Sequence, residues 1–138
     1  MEICQVPQAV IYPKKFGIKK DIADFQDSVF YLSADAPVEY SRANLEQICV
    51  QKEFIPKTKV VPNHATLLSL MDREDSAAIM DLWCQPIYDK KFKYVRLEAS
   101  VPIVGAFRKN CAHAKIIRML YKTLAERYEE EVMIIIRK

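Results

Sequence analysis

The most regular pattern in the chain lies in its last third. From Tyr94 to Val104 apolar and polar positions alternate, with Val95, Leu97, Ala99, Val101 and Ile103 on one side and Tyr94, Arg96, Glu98 and Ser100 on the other. Successive side chains of an extended backbone point to opposite faces, so this stretch predicts a half-buried strand. Gly105 breaks it. Phe107 to Tyr128 then carries apolar residues at 107, 114, 117, 120, 121, 124 and 128, the spacing of one helical face about six turns long. Glu129–Glu131 is expected to end that helix. Val132–Ile136, with three consecutive isoleucines, suits a central strand covered on both sides.

The earlier pattern is shorter in period. Ile3–Tyr12 is rich in β-branched residues but contains Pro7, which cannot donate to a ladder, so it predicts an edge strand or an irregular arm. Ser28–Ala34 predicts a strand. Ser41 stands where an N-cap belongs, ahead of Leu45, Ile48 and Cys49 at helical spacing. Lys57–Val61 suits a brief strand, and Asn63 can cap a short helix bearing Leu67, Leu68 and Met71. Ala77–Cys84 is apolar on most sides and predicts a buried helix stopped before Pro86.

No repeat, low-complexity stretch or Ser/Gly linker divides the chain, so residues 1–138 are expected to form one domain with 1–20 as an arm. The fold class expected is α+β: an antiparallel or mixed sheet, helices packed on one face, and a strand-helix-strand ending. At 138 residues, 51% hydrophobic and 28% charged, the chain has enough apolar surface to bury a core. With glycine only at Gly17 and Gly105, P-loop and dinucleotide fingerprints are excluded. The longest apolar runs are near five residues, against the roughly 20 a membrane helix needs, so no membrane partner is expected. The first residues lack the pattern of a secretory signal. Cys4, Cys49, Cys84 and Cys111 have no paired spacing, which fits free thiols in the cytoplasm or nucleus.

Charge is where the total misleads. The net +3 conceals a −5 segment at 21–53 and a +7 segment at 86–122. On a helix starting at Phe107, Arg108, Lys115, Arg118 and Lys122 form an outward stripe about 21 Å long, opposite the apolar face. The preceding strand adds Lys90, Lys91, Lys93 and Arg96, with Phe92 and Tyr94 spaced by two on one face. Aromatics so placed can stack bases while the cations neutralise phosphates. The competing reading of the same residues is solvated surface, with Phe92 and Tyr94 covered by a helix in a two-sided core.

Enzyme chemistry finds less support. His64-Ala-Thr66 has the H-x-T form of two-histidine phosphoesterases, but His113-Ala-Lys115 lacks the second hydroxyl, so His64 is read as the first residue of a helix. Cys111 and His113, two apart on a helix, diverge by about 200° and cannot pair as nucleophile and base. His113 then falls on the apolar face as a core histidine and Cys111 in the basic stripe, where neighbouring cations would activate its thiol. Asp81, Asp89 and Glu98 have no spacing that requires a metal site. No metal, cofactor or catalytic residue is assigned.

The leading expectation is a non-enzymatic intracellular binding protein whose basic face, residues 88–122, engages nucleic acid. The alternative is a protein-interaction module, an adaptor or inhibitor, that meets an acidic protein through the basic face or a further partner, including a second copy, through the acidic 21–53 region. An enzyme with a site invisible in one sequence is the third.

Overall fold

The computed structural model describes residues 2–82, 90–108 and 110–137, the stretch 129–137 as backbone. Its elements are β1 (Glu2–Pro13), β2 (Val29–Ser33), α1 (Val38–Val50), β3 (Lys57–Val61), α2 (His64–Met71), β4 (Ser76–Asp81), β5 (Phe92–Val104) and α3 (Ala114–Arg137), with 3-10 turns at Lys14–Phe16 and Ile22–Phe25. The five strands form one mixed sheet in the order β3-β2-β4-β1-β5. β2 runs parallel to β3 and β4, and β1 is antiparallel to β4 and β5. The α+β class with a mixed sheet is as expected, and β2, β3 and β5 lie where the local patterns place them.

The helices do not share one face. Val10, Tyr12, Phe30, Leu32, Ala77 and Val95 pack with Leu45 and Cys49 of α1. Their immediate neighbours Ile11, Tyr31 and Ala78 turn the other way and pack with Leu67 and Met71 of α2. This two-sided burial also corrects the reading of Ala77–Cys84. Residues Ser76–Asp81 are β4, the central strand of the sheet, and apolar on both sides because both sides are covered. A buried helix carries the same unbroken run, so periodicity cannot separate the two. Trp83 and Cys84 lie outside the described residues.

β1 is not an edge. It sits between β4 and β5, and Pro7 is tolerated because the β4 ladder covers only Gln8–Ile11. Pro7 itself stands at an irregularity in the β5 pairing, between Pro7 and Ala9.

The closing strand is also overturned. α3 starts at Ala114, seven residues later than expected, and continues through Glu129–Glu131 and Val132–Ile136 to Arg137. Glutamate is a good helix former, and extending an established helix needs no new nucleus, so the β preference of the isoleucines is overridden. The chain therefore ends strand-helix. Tyr121, Leu124, Ala125 and Tyr128 pack α3 onto Ile3, Cys4 and Val6 of β1 and Ile103 of β5. A Cβ on Gly105 would overlap the Tyr121 ring, so glycine lets α3 approach this junction without displacing that ring.

Polar groups lock the connection between β1 and β2. Lys19 Nζ, with its side chain only 9% exposed, donates to Ser28 Oγ (2.5 Å) and Asp75 Oδ1 (2.6 Å), and the Ser28 hydroxyl donates to Asp75 (2.9 Å). The same ammonium lies 4.8 Å from the centre of the Phe25 ring. Tyr31 donates to the Glu74 carboxylate, which Lys59 also meets at 3.2 Å. Burial, and then the Glu74 hydrogen bond, push the Tyr31 hydroxyl up to about 12, while the bonds from Tyr31 and Lys59 hold Glu74 below its usual range.

Candidate functional site

Parallel pairing of β2 with β3 and β4 brings their carboxyl ends to one end of the sheet. α1 follows β2 and α2 follows β3, so both helices begin there, which is the usual place for a ligand crevice in a sheet with parallel strands. A cavity of about 180 Å³ occupies that place, lined by Gln8, Leu32, Ser33, Tyr40, Ser41, Asn44, His64, Leu67, Ile79 and Met80, among others. Its apolar floor comes from the strands, and its polar groups from both the strands (Gln8 and Ser33) and the helices (Ser41, Asn44 and His64).

The two helix starts differ. At α2, Asn63 Oδ1 accepts from Thr66 N (2.8 Å) and Asp35 Oδ2 from His64 N (2.9 Å), so its first donors are occupied. Asn63 is the cap and His64 the first helical residue, as expected. α1 begins at Val38 behind Pro37, not at Ser41, and no side chain caps it. The free N–H groups of such a first turn favour an acceptor or an anion. Below them Asn44 Nδ2 donates to Gln8 Oε1 (3.3 Å), and burial raises Asp81 above the ordinary carboxylate range against the opposing hydrogen bond from Gln8.

The basic residues named from the sequence are all exposed, but they do not form one face. Lys90, Lys91 and Lys93 lie at the start of the edge strand β5 and in the turn before it, Lys91 with Asp72 at 4.0 Å. Phe92 is half-buried and packs against the α2-side core, while Tyr94 is 38% exposed. Arg96 opens onto a groove of about 680 Å³ between α1 and β5, beside Glu98, Gln47 and Gln51. The helical stripe shrinks to Lys115, Arg118 and Lys122, because Arg108 precedes α3; the Arg118 guanidinium lies 5.7 Å from the Phe107 ring. His113 is exposed in the turn before α3 rather than in the core, and Cys111 is half-buried in the same turn.

Sequence reasoning missed the Ser28–Lys19 pair, a hydroxyl and an amine at hydrogen-bond distance. Ser28 is fully buried, so the pair has no access for a substrate and serves the fold. Burial likewise pushes the Cys49 thiol up to about 11, which leaves it inert at neutral pH. Among the described residues no three His, Cys, Asp or Glu side chains converge to hold a metal, and no helix is long and apolar enough to cross a membrane.

No protein-family model matches the chain, and no curated protein matches it in sequence. Solved structures match its fold. The C206 mutant of Corynebacterium glutamicum OxyR is similar over 99% of this chain and 46% of that one, with TM-score 0.76 at 12% identity. CbnR, a LysR family transcriptional regulator, matches with TM-score 0.59 and 18% identity over 96% of this chain and 45% of that one. The effector binding domain of QuiR in complex with shikimate matches with TM-score 0.63 and 16% identity over 95% and 65%. The chain spans about half the length of the OxyR and CbnR chains. At these identities the likeness is one of fold: the mixed sheet and its helices are similar to the regulatory domains of LysR-type transcription regulators.

Proposed function

We propose that this chain is a non-enzymatic, intracellular ligand-sensing module that binds a small polar organic acid in the cleft between the first turns of α1 and α2. The observation that carries the reading is the cleft itself: an apolar floor and the uncapped first turn of α1, in a fold shared with an effector binding domain. Its volume is below the roughly 300–1,000 Å³ of common ligand sites, so it suits a small metabolite or one end of a larger one. Thermal unfolding and calorimetry with shikimate, benzoate and related small acids test it. A ligand at about 100 times its Kd stabilises the fold by about 2.7 kcal/mol, and Ser41→Phe, which fills the cleft, should abolish that shift while keeping the helical spectrum. If none of these acids stabilises the wild type, or Ser41→Phe keeps the response, the cleft reading fails.

A second reading rests on the exposed cations. Lys90, Lys91, Lys93 and Arg96 on and before β5 and Arg108, Lys115, Arg118 and Lys122 on and before α3 could neutralise phosphates of nucleic acid, with Tyr94 as the more exposed stacking group. Labelled DNA and RNA should then bind with affinity falling by orders of magnitude between about 50 and 200 mM salt, and Lys115→Glu with Arg118→Glu should remove binding. A flat salt response would refute this reading.

A further inference from the structure

A row of polar side chains, Asp81, Gln8 and Asn44, runs from the central strand to α1 beside the cleft. Gln8 of β1 and Asp81 of β4 are direct partners across the two strands, and Gln8 is buried. The Gln8 side chain donates to the Asp81 carboxylate, and its Oε1 accepts from Asn44 Nδ2 at 3.3 Å. Gln8 and Asn44 both line the cleft, one from the sheet and the other from the helix.

The direction of the donors along this row is set at one end. An ionised carboxylate only accepts, so the Gln8 amide turns its NH2 to Asp81. Its carbonyl then points to α1, where the Asn44 NH2 satisfies it and the Asn44 oxygen would oppose it. Asn44 is thereby held with its NH2 toward Gln8 and its Oδ1 turned away, and among the described residues Oδ1 accepts no hydrogen bond. Flipping either amide alone would set oxygen against oxygen or NH2 against NH2, which is costly beside a buried Gln8. The hydroxyls of Tyr40 and Ser41, which share the cleft, rotate to donate or accept and impose no such choice.

We propose, resting on the cleft reading above, that this row makes the cleft selective for an acid that also carries a hydroxyl or amine, with its carboxylate at the first turn of α1 and its donor on Asn44 Oδ1. The spacing follows from the helix. Ser41 N already bonds Pro37 O, so the open N–H groups are those of Val38, Glu39 and Tyr40. Asn44 stands one turn beyond Tyr40 on the same face. Four residues rise about 6 Å, close to the span from the carboxylate of a benzoate to its para substituent. Asn44 also lines the groove between α1 and β5, which places the acceptor at the β5 side of the cleft, away from the helix start. Asp81 and Gln8 act through Asn44 and are positioning residues.

Calorimetry on the full chain compares para-hydroxybenzoate and para-aminobenzoate with para-fluorobenzoate, which has a similar shape and no donor. The first two should bind about fivefold more tightly, the effect of one hydrogen bond. Asp81→Asn gives Gln8 a neutral partner that presents either a donor or an acceptor, so both amides become free to flip. The preference should then fall toward one while all three acids still bind. Asn44→Ala should bring it under about twofold. A merely structural role would weaken the three acids alike and leave their ratio unchanged, and that result in Asp81→Asn overturns the positioning role. Equal binding of the three by the wild type overturns the selectivity and leaves the cleft reading standing. Binding of none of them overturns both.

Discussion

Phe25→Ala is expected to lower the stability of the fold by about 4 kcal/mol, within the range for truncating a fully buried phenylalanine. Phe25 lies in a 3-10 turn, outside every strand and long helix, yet it is 0% exposed. Its ring meets Tyr12 edge-on at 5.4 Å and Phe30 at 6.1 Å, and Lys19 Nζ lies over it at 4.8 Å. Truncation removes the ring's transfer energy and leaves a cavity that the sheet above it cannot fill, because β1 and β2 are held by their ladders. Both aromatic contacts and the cation contact are lost as well. Phe25→Leu keeps much of the volume and should cost less than half as much. Urea unfolding reads the difference, with the midpoint falling and the slope unchanged. A loss under about 1 kcal/mol for the alanine variant would mean that the 14–28 connection is not part of the core.

Nothing in the local pattern around Phe25 announces that role. Ile22, Ala23 and Phe25 are too few for a period, and the neighbouring carboxylates Asp21, Asp24 and Asp27 read as surface. What was legible elsewhere was local in the same sense. The alternation along Tyr94–Val104 and the Asn63 cap each state their structure within a few residues, and both are present. In β4, burial on both faces erases the period that distinguishes strand from helix. Pro7 points to an edge strand or an irregular arm, but β4 pairs only with Gln8–Ile11, so the missing N–H leaves no gap in that ladder. In α3, the three isoleucines favour a strand by preference alone, but a helix already under way continues easily.

The cleft was not legible for a different reason. Gln8, Tyr40, Asn44 and His64 come from three elements and match no motif; they meet because β2 runs parallel to β3 and β4. The available signal was the order strand, helix, strand, helix across 29–71, which favours parallel pairing and a crevice at the carboxyl ends. The unbroken apolar run of β4, which suits a helix equally well, hides it. The basic residues show the converse. Their charge is plain in the sequence, but the stripe of Arg108, Lys115, Arg118 and Lys122 needs a helix from Phe107, and with α3 beginning at Ala114 it divides between the segment before the helix and the helix itself.

Asp75→Ala is expected to cost about 3 kcal/mol, more than removing the lysine it binds. The asymmetry follows from burial. The Lys19 side chain is 9% exposed and that of Asp75 is 42% exposed. Without Asp75 the ammonium keeps only Ser28 Oγ at 2.5 Å and the face of Phe25, and its charge stays largely dry. Without Lys19, by contrast, the half-exposed carboxylate is still hydrated and still accepts from the Ser28 hydroxyl at 2.9 Å. Lys19→Met, which retains the apolar stem, should therefore lose only about 1 kcal/mol. The decisive comparison is the double variant. Removing both charges takes away the stranded ammonium, so Lys19→Met in the Asp75→Ala background should raise stability rather than lower it. Denaturant unfolding of the four proteins measures that coupling directly. If the two losses simply add, the ion pair is hydrated in solution and the connection from β1 to β2 is held by the buried Ile22 and Phe25 and by the Tyr12 hydroxyl on the Lys19 backbone.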